Sequence, residues 1–244
     1  MLLSTRSPTA AHARPRVQRG CNQLTRCPVR SQPVRTRAAA AEQQAPTAES
    51  LVSTIKSGAK MDGSVSNAEM LTAVVALEKA RALPVDWFEK ISAPTKRWRL
   101  VYTAGTKAVI AASKGELGPA GGFFPVTAAQ KFDAKEMTFE NGVFFGPAAH
   151  LTFKGPCTYK GKQLSFDVTK MFIGLGPWRW GIPLKEDKPL SAVAAEAVKT
   201  LPFFIYAYAD DDIIVARGRS GGLAVWVAGE AAWQARSGVM QVYN

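Results

Sequence analysis

The sequence predicts a mainly β protein, a closed antiparallel barrel or a sandwich, entered through two helices. Three features predict it. Beyond Pro94 the chain breaks into many short runs with strand character, the clearest of which alternate with a period of two. Turn chemistry separates these runs, notably at Asn141-Gly142, Lys160-Gly161 and Ser220-Gly221-Gly222. Ahead of Pro94 the apolar spacing is helical instead.

Residues 1–40 stand apart. They hold Arg6, Arg14, Arg16, Arg19, Arg26, Arg30, Arg35 and Arg37 with no lysine, and the first carboxylate of the chain is Glu42. Ser, Thr, Ala and Pro fill much of the rest, which is the composition of an organelle import peptide, for a plastid or a mitochondrion. A cut near Val34–Ala38 would release the mature chain. The other reading is a disordered basic arm for nucleic acid or membrane. These arginines supply eight of the twelve surplus positive charges. The remainder is only mildly basic, so nucleic-acid binding loses its main support. Cys21 and Cys27 also fall here, leaving Cys157 with no partner for a disulfide or a cysteine-based metal cage. No apolar run reaches the roughly 18 residues of a transmembrane helix.

Residues 41–93 read as a linker followed by helices. Thr47 is placed to cap a helix bearing Leu51, Val52 and Ile55 on one face, stopping at Gly58. After a turn at 60–64, a second helix begins at Ser66 or Asn67, aligns Leu71, Val74, Val75 and Leu77, and runs to about Leu83 before Pro84. Trp87, Phe88 and Ile91 mark one more helical turn.

Residues 94–228 are the expected barrel. Arg97–Thr103 alternates with Trp98, Leu100 and Tyr102 on one face. Further strands are predicted at 107–111, 124–132, 137–139, 143–145, 151–153, 163–168, 172–173, 203–208, 213–217 and 223–227. Asn141-Gly142 is predicted as a hairpin turn between two of them, because a primed turn needs positive φ at both central residues. Residues 192–199 suggest a short helix over one end. Residues 229–244 read as a C-terminal tail.

Chemistry is sparse. His150 is the single histidine outside residues 1–40 and lacks oriented partners for base catalysis. Cys157 reads as an inert buried thiol. The glycine-rich run 115–122 lacks the Lys-Ser/Thr and following helix of a phosphate cradle, and reads as a loop or a barrel lip. Asp210-Asp211-Asp212 could offer oxygen ligands to a cation. A turn satisfied by Arg217 and Arg219 is the expected alternative. No catalytic residue, metal site or cofactor is expected. Trp178-Arg179-Trp180, between Gly176-Pro177 and Gly181-Ile182-Pro183, reads as an edge segment. Its tryptophans either contact a lipid interface or pack under a loop.

Two segments carry a family resemblance. Arg97-Trp98-Arg99-Leu100-Val101-Tyr102-Thr103 resembles the WRLLYT strand of the plastid lipid-associated proteins, the PAP/fibrillin family. Asp210-Asp211-Asp212 followed by Arg217-Gly218 is similar to that family's late acidic and RG signature. Lys96 stands where family members often carry a glycine two residues before the tryptophan. The resemblance implies a lipocalin-like antiparallel β-barrel with an N-terminal helical lead-in. It further implies a chloroplast protein, on plastoglobules or thylakoids or in the stroma, that binds isoprenoids, quinones or carotenoids.

On that fold the expected barrel lining is Tyr102, Phe166, Val168 and Tyr206. Trp98 and Arg217 are expected to form a cation–π latch across the barrel. Three functions then compete. The first is a non-enzymatic binder of a lipophilic molecule. The second is a structural coat for plastoglobules or thylakoids, with a filled barrel and Trp178 and Trp180 on the lipid. The third is a cryptic enzyme built on His150 or the aspartates.

Overall fold

The computed structural model describes residues 46–243, so the expected import peptide lies outside the described residues. Helix α1 (Ala48–Ala59) starts as expected at Thr47, whose hydroxyl accepts the Ser50 N–H at 3.3 Å. Helix α2 (Asn67–Ala80) opens on a capping box, in which Ser66 and Glu69 satisfy each other's backbone N–H. It ends at Arg81, in a left-handed conformation, rather than at Leu83. Helix α3 (Trp87–Ile91) is the extra turn carrying Trp87, Phe88 and Ile91.

The strands that follow are β1 (Trp98–Ala104), β2 (Gly122–Phe123), β3 (Thr127–Asp133), β4 (Thr138–Phe145), β5 (Ala149–Lys160) and β6 (Gln163–Phe166). After β7 (Lys170–Leu175) and β8 (Trp178–Pro183) come β9 (Phe203–Ala209), β10 (Ile213–Gly218) and β11 (Leu223–Ala228). Eight of them close an antiparallel ring, β1-β11-β10-β9-β6-β5-β4-β3 and back to β1. The fold is therefore a lipocalin-like barrel and not a sandwich. Closure removes the free edges of the ring. β7 pairs with the first half of β5, β6 with the last part, and β8 pairs with β7. The β7–β8 hairpin thus leaves the ring as an extension of the β4–β5 wall.

Three sequence expectations give way. Residues 107–111 are not a strand but part of helix α4 (Thr106–Lys114), which buries Ala108 and Val109 and ends on Gly115. Two β-branched neighbours, Val109 and Ile110, suggest a strand, but packing against α2 and an alanine-rich context decide for a helix. Asn141-Gly142 is not a turn but the middle of β4. The β3–β4 turn lies at 134–137, where Asp133 Oδ1 accepts the N–H groups of Lys135 and Glu136. Gly142 serves close packing instead, since a Cβ there would lie 2.5 Å from Thr152 Cγ2. The tail 229–244 folds as α6 (Ala231–Ser237) and α7 (Val239–Val242). The helix expected at 192–199 is found, slightly displaced, as α5 (Ala195–Thr200).

Packing divides into three apolar clusters. The barrel interior holds Trp98, Phe132, Phe139, Leu164, Phe166, Tyr206, Ile214 and Trp226, and α3 adds Trp87, Phe88 and Ile91 to the same cluster. A second cluster lies on the outer face of β1, β10 and β11, under α1, α2 and α4. The third joins Ala129 and Phe144, on the outer face of β3 and β4, to Trp233, Val239 and Tyr243 of the C-terminal segment.

Candidate functional site, an apolar apron beside the barrel

Alternation along β4 and β5 places Phe139 and Cys157 inside the barrel. The same faces continue outward as Val143 and Phe145 on β4, and as Phe153, Leu151 and Ala149 on β5. Register carries that face across the extension. Leu151 pairs with Ile173 and Ala149 with Leu175, while Ile173 pairs with Trp180, Leu175 with Trp178, and Met171 with Ile182. Four strands therefore present one surface that is apolar except for Asn141, which faces Phe153 between Phe139 and Val143 and whose Oδ1 is buried.

This apron is exposed. Phe145 is 65% exposed, Trp178 62%, Leu175 56% and Trp180 51%, with Ile173 and Ile182 also above a third. At roughly 100 Å² apiece, six such side chains leave about 600 Å² of contiguous apolar surface, at the size where a functional contact is expected. Large β-branched and aromatic residues pair well across strands, which explains why the hairpin forms without a core on this side.

The reverse face carries the charged side chains, interleaved with Phe144 and Phe172. Arg179 pairs with Glu140 at 3.0 Å and lies over the Phe172 ring at 3.9 Å. Glu140 also accepts the Thr152 hydroxyl at 3.0 Å. His150 stacks on Phe144 and lies against Gly174, where a Cβ would stand 1.8 Å from its Cε1. Burial, with Arg179 nearby, holds the His150 imidazole below its ordinary pKa. Its place is a packing position on the back of the apron.

The expected barrel lining separates into two groups. Phe166 and Tyr206 are inside, with Val168 at the margin of the same cluster. They are packed by side chains: Phe166 lies 4.3 Å from Phe139, and Tyr206 stacks on Trp87 at 4.3 Å. Tyr102 is not inside. A β-bulge between Leu100 and Tyr102 reverses the alternation, so Tyr102 joins the outer cluster under the helices. Its hydroxyl lies 3.0 Å from the Asn67 carbonyl, and burial pushes its pKa up to about 12.

The expected latch does not form. Trp98 points inward at the Ala228 end of β1, and its Nε1–H donates to the Ile91 carbonyl at 2.8 Å. Arg217 is two strands away on the outer face. There its Nε donates to Glu78 Oε1 at 2.7 Å, its NH2 group donates to Oε2, and its NH1 group donates to the Gly221 carbonyl. Strand alternation explains this, because Ile214 and Ala216 face inward while Ile213, Val215 and Arg217 face the helices. The cation near Trp98 is Lys96, at 5.7 Å from the ring.

The aspartate run is a turn, but its partners are lysines rather than Arg217 and Arg219. Lys56 bridges Asp210 at 2.9 Å and Asp212 at 2.6 Å, and Lys96 pairs with Asp211. Asp210 Oδ1 also accepts the N–H groups of Asp212 and Ile213, both at 2.8 Å. Among the described residues, no group of three His, Cys, Asp or Glu is arranged to hold a metal ion. Cys157 is buried in the barrel, and burial, aided by the Asp133 charge, pushes its thiol up to about 12. No described helix is long and apolar enough to cross a membrane.

Sequence reading located Trp178 and Trp180 but missed the rest of the apron. The signal was present: Met171, Ile173 and Leu175, then Trp178, Trp180 and Ile182, alternate with a period of two around Gly176-Pro177. Fold and site together define a closed eight-stranded barrel with an exposed apolar wing. In comparison with known proteins, the chain matches no protein-family model and no curated protein.

Proposed function

We propose that this chain is a non-enzymatic lipid-associated protein that docks on a hydrocarbon surface through its apron. The observation that carries the reading is the segregation of the β4–β5–β7–β8 sheet. One face is open and apolar apart from Asn141, and charges (Glu140, Lys154, Lys170 and Arg179) stand on the reverse face. Tryptophans on an exposed edge strand suit the boundary between water and acyl chains, where an amphipathic ring is favoured. The interior packing of Phe139, Phe166, Tyr206 and Trp226 favours the coat reading over a ligand enclosed in the barrel.

A lipophilic small molecule is the second reading. Half-buried Leu100, Val168 and Phe204 lie at the margin of the interior cluster, and an apolar ligand resting on the apron would meet that margin. The import-like composition of residues 1–40 and the PAP/fibrillin resemblance support a plastid setting, with a plastoglobule or thylakoid as the surface.

The test is flotation of the full chain with phosphatidylcholine vesicles and with triacylglycerol droplets. Neutral lipids remove any attraction for the arginine-rich residues 1–40. Wild type should float. The Trp178→Ser/Trp180→Ser variant should bind about 100-fold more weakly, from about 1.5 kcal/mol of apolar transfer per ring. Equal flotation of the two proteins would refute the docking face. Loss of self-association in the variant, with flotation unchanged, would assign the apron to a second copy of the chain.

A further inference from the structure

A cleft of about 690 Å³ lies on the outer surface between α1, the ends of β10 and β11, and α6. Its apolar side includes Ile213, Val227 and Trp233. Its polar lining is unbalanced: Lys56, Lys60, Arg99 and Arg236 face only Asp212 and Glu230. Lys56 is already engaged by Asp210 and Asp212.

Arg99 is the distinctive residue. It projects from β1, half-buried, with its guanidinium 5.8 Å from the centre of the Trp233 ring. Arg97, Arg179, Arg217 and Arg219 each direct their guanidinium to a carbonyl or a carboxylate. Among the described residues, neither Arg99 nor Arg236 has an ion pair within 4.0 Å or a hydrogen bond from its side chain. Burial and the neighbouring Arg236 both depress the pKa of Arg99, whereas Glu230 only partly offsets them. Two like charges held together beside an apolar wall form a site that an anion would relieve.

We propose that this cleft binds a phosphate-bearing amphiphile, its phosphate against Arg99 and Arg236 and its carbon chain along Val227 and the edge of Trp233. Guanidinium groups present forked donors that match phosphate oxygens, and a ring already stacked under Arg99 limits the freedom lost on binding. The site is separate from the apron and does not depend on the docking reading. A free phosphate ester and a lipid headgroup carry the same chemistry here.

The test is calorimetric titration of the full chain with inorganic phosphate and with dioctanoyl phosphatidic acid below its micelle concentration. Phosphatidic acid should bind, and more weakly as salt rises. Arg99→Gln and Arg236→Gln should each weaken it about tenfold or more. Arg236 is exposed, so its variant reports on the site even if Arg99→Gln impairs folding. Lys188→Gln and Trp178→Ser/Trp180→Ser should leave the affinity unchanged, which separates this site from the apron. Phosphatidic acid binding more tightly than inorganic phosphate supports the amphiphile, and equal affinities would overturn the part of the proposal that seats a carbon chain in the cleft. No binding of either, or binding that both arginine variants retain in full, would overturn the proposal.

Discussion

Replacing Glu78 by Gln tests how the helical layer is fastened to the barrel. Glu78 on α2 receives two hydrogen bonds from Arg217 on β10, and Arg217 also donates to the Gly221 carbonyl at 2.7 Å. The two side chains are 25% and 26% exposed, so the pair is neither free in water nor fully buried. Breaking a fully buried pair costs about 3–5 kcal/mol, and exposed pairs contribute about 0.2–1 kcal/mol. At this burial Glu78→Gln should cost about 2 kcal/mol, because it leaves a partly desolvated guanidinium facing a neutral amide. Urea unfolding followed by tryptophan fluorescence measures it as a lower midpoint at unchanged slope. Arg217→Met should cost a similar amount, since its methylenes preserve the packing but the Glu78 carboxylate and the Gly221 carbonyl lose their donor. The double variant should be more stable than the sum of the singles predicts, by about 1 kcal/mol. A Glu78→Gln variant within about 0.5 kcal/mol of wild type, or strict additivity, would refute this role for the pair.

Three further outcomes follow. Cys157, with its thiol pushed up to about 12 by burial, should resist a disulfide reagent at neutral pH in the native protein and react fully once unfolded. Gly174→Ala should destabilise by about 2–3 kcal/mol, because its Cβ would stand 1.8 Å from the His150 ring, and proteolysis should then cut first in the β7–β8 hairpin. Burial raises the Asp210 carboxyl, but the Lys56 ammonium and the N–H groups of Ile213 and Asp212 outweigh it, so its pKa lies below the ordinary value. A depressed carboxylate contributes stability above its unfolded pKa and loses it as pH falls through the folded value. Asp210→Asn should therefore cost about 1–2 kcal/mol at neutral pH, a cost that shrinks as pH falls below the ordinary carboxylate range, measured by urea midpoints at neutral and acid pH.

Local signals in the sequence were sufficient for much of this fold. Ser66 and Glu69 announce α2 because a capping box involves only neighbouring residues. Alternation marks β1 because a half-buried strand repeats every two residues, whereas β10 shows as a short apolar run that is buried on both faces. Long-range requirements account for the failures. Asn141-Gly142 has the chemistry of a hairpin, but the glycine is needed for the approach of Thr152 and Leu151 on β5. Arg217 finds its partner 139 residues away in a helix, and no local pattern points to Glu78. The bulge that moves Tyr102 out of the barrel interrupts a strand whose sequence alternates smoothly. In the apron, Trp178 and Trp180 were legible as an edge. Their union with Phe145, Ile173 and Leu175 depends on β7 branching from β5, which alternation alone does not specify.

The central claim is that the apron enters the hydrocarbon, and bromine-labelled lipids measure this directly. Phosphatidylcholine brominated on its acyl chains quenches only tryptophans that reach the acyl region. Trp98 and Trp226 are buried in the barrel, whereas Trp178 and Trp180 stand on the exposed face. The full chain bound to brominated vesicles should lose a distinct fraction of its tryptophan emission. Trp178→Phe/Trp180→Phe, which keeps the surface apolar, should still float with the vesicles but lose that quenching. Quenching that persists unchanged in the variant, or is absent from bound wild type, would contradict docking through this face.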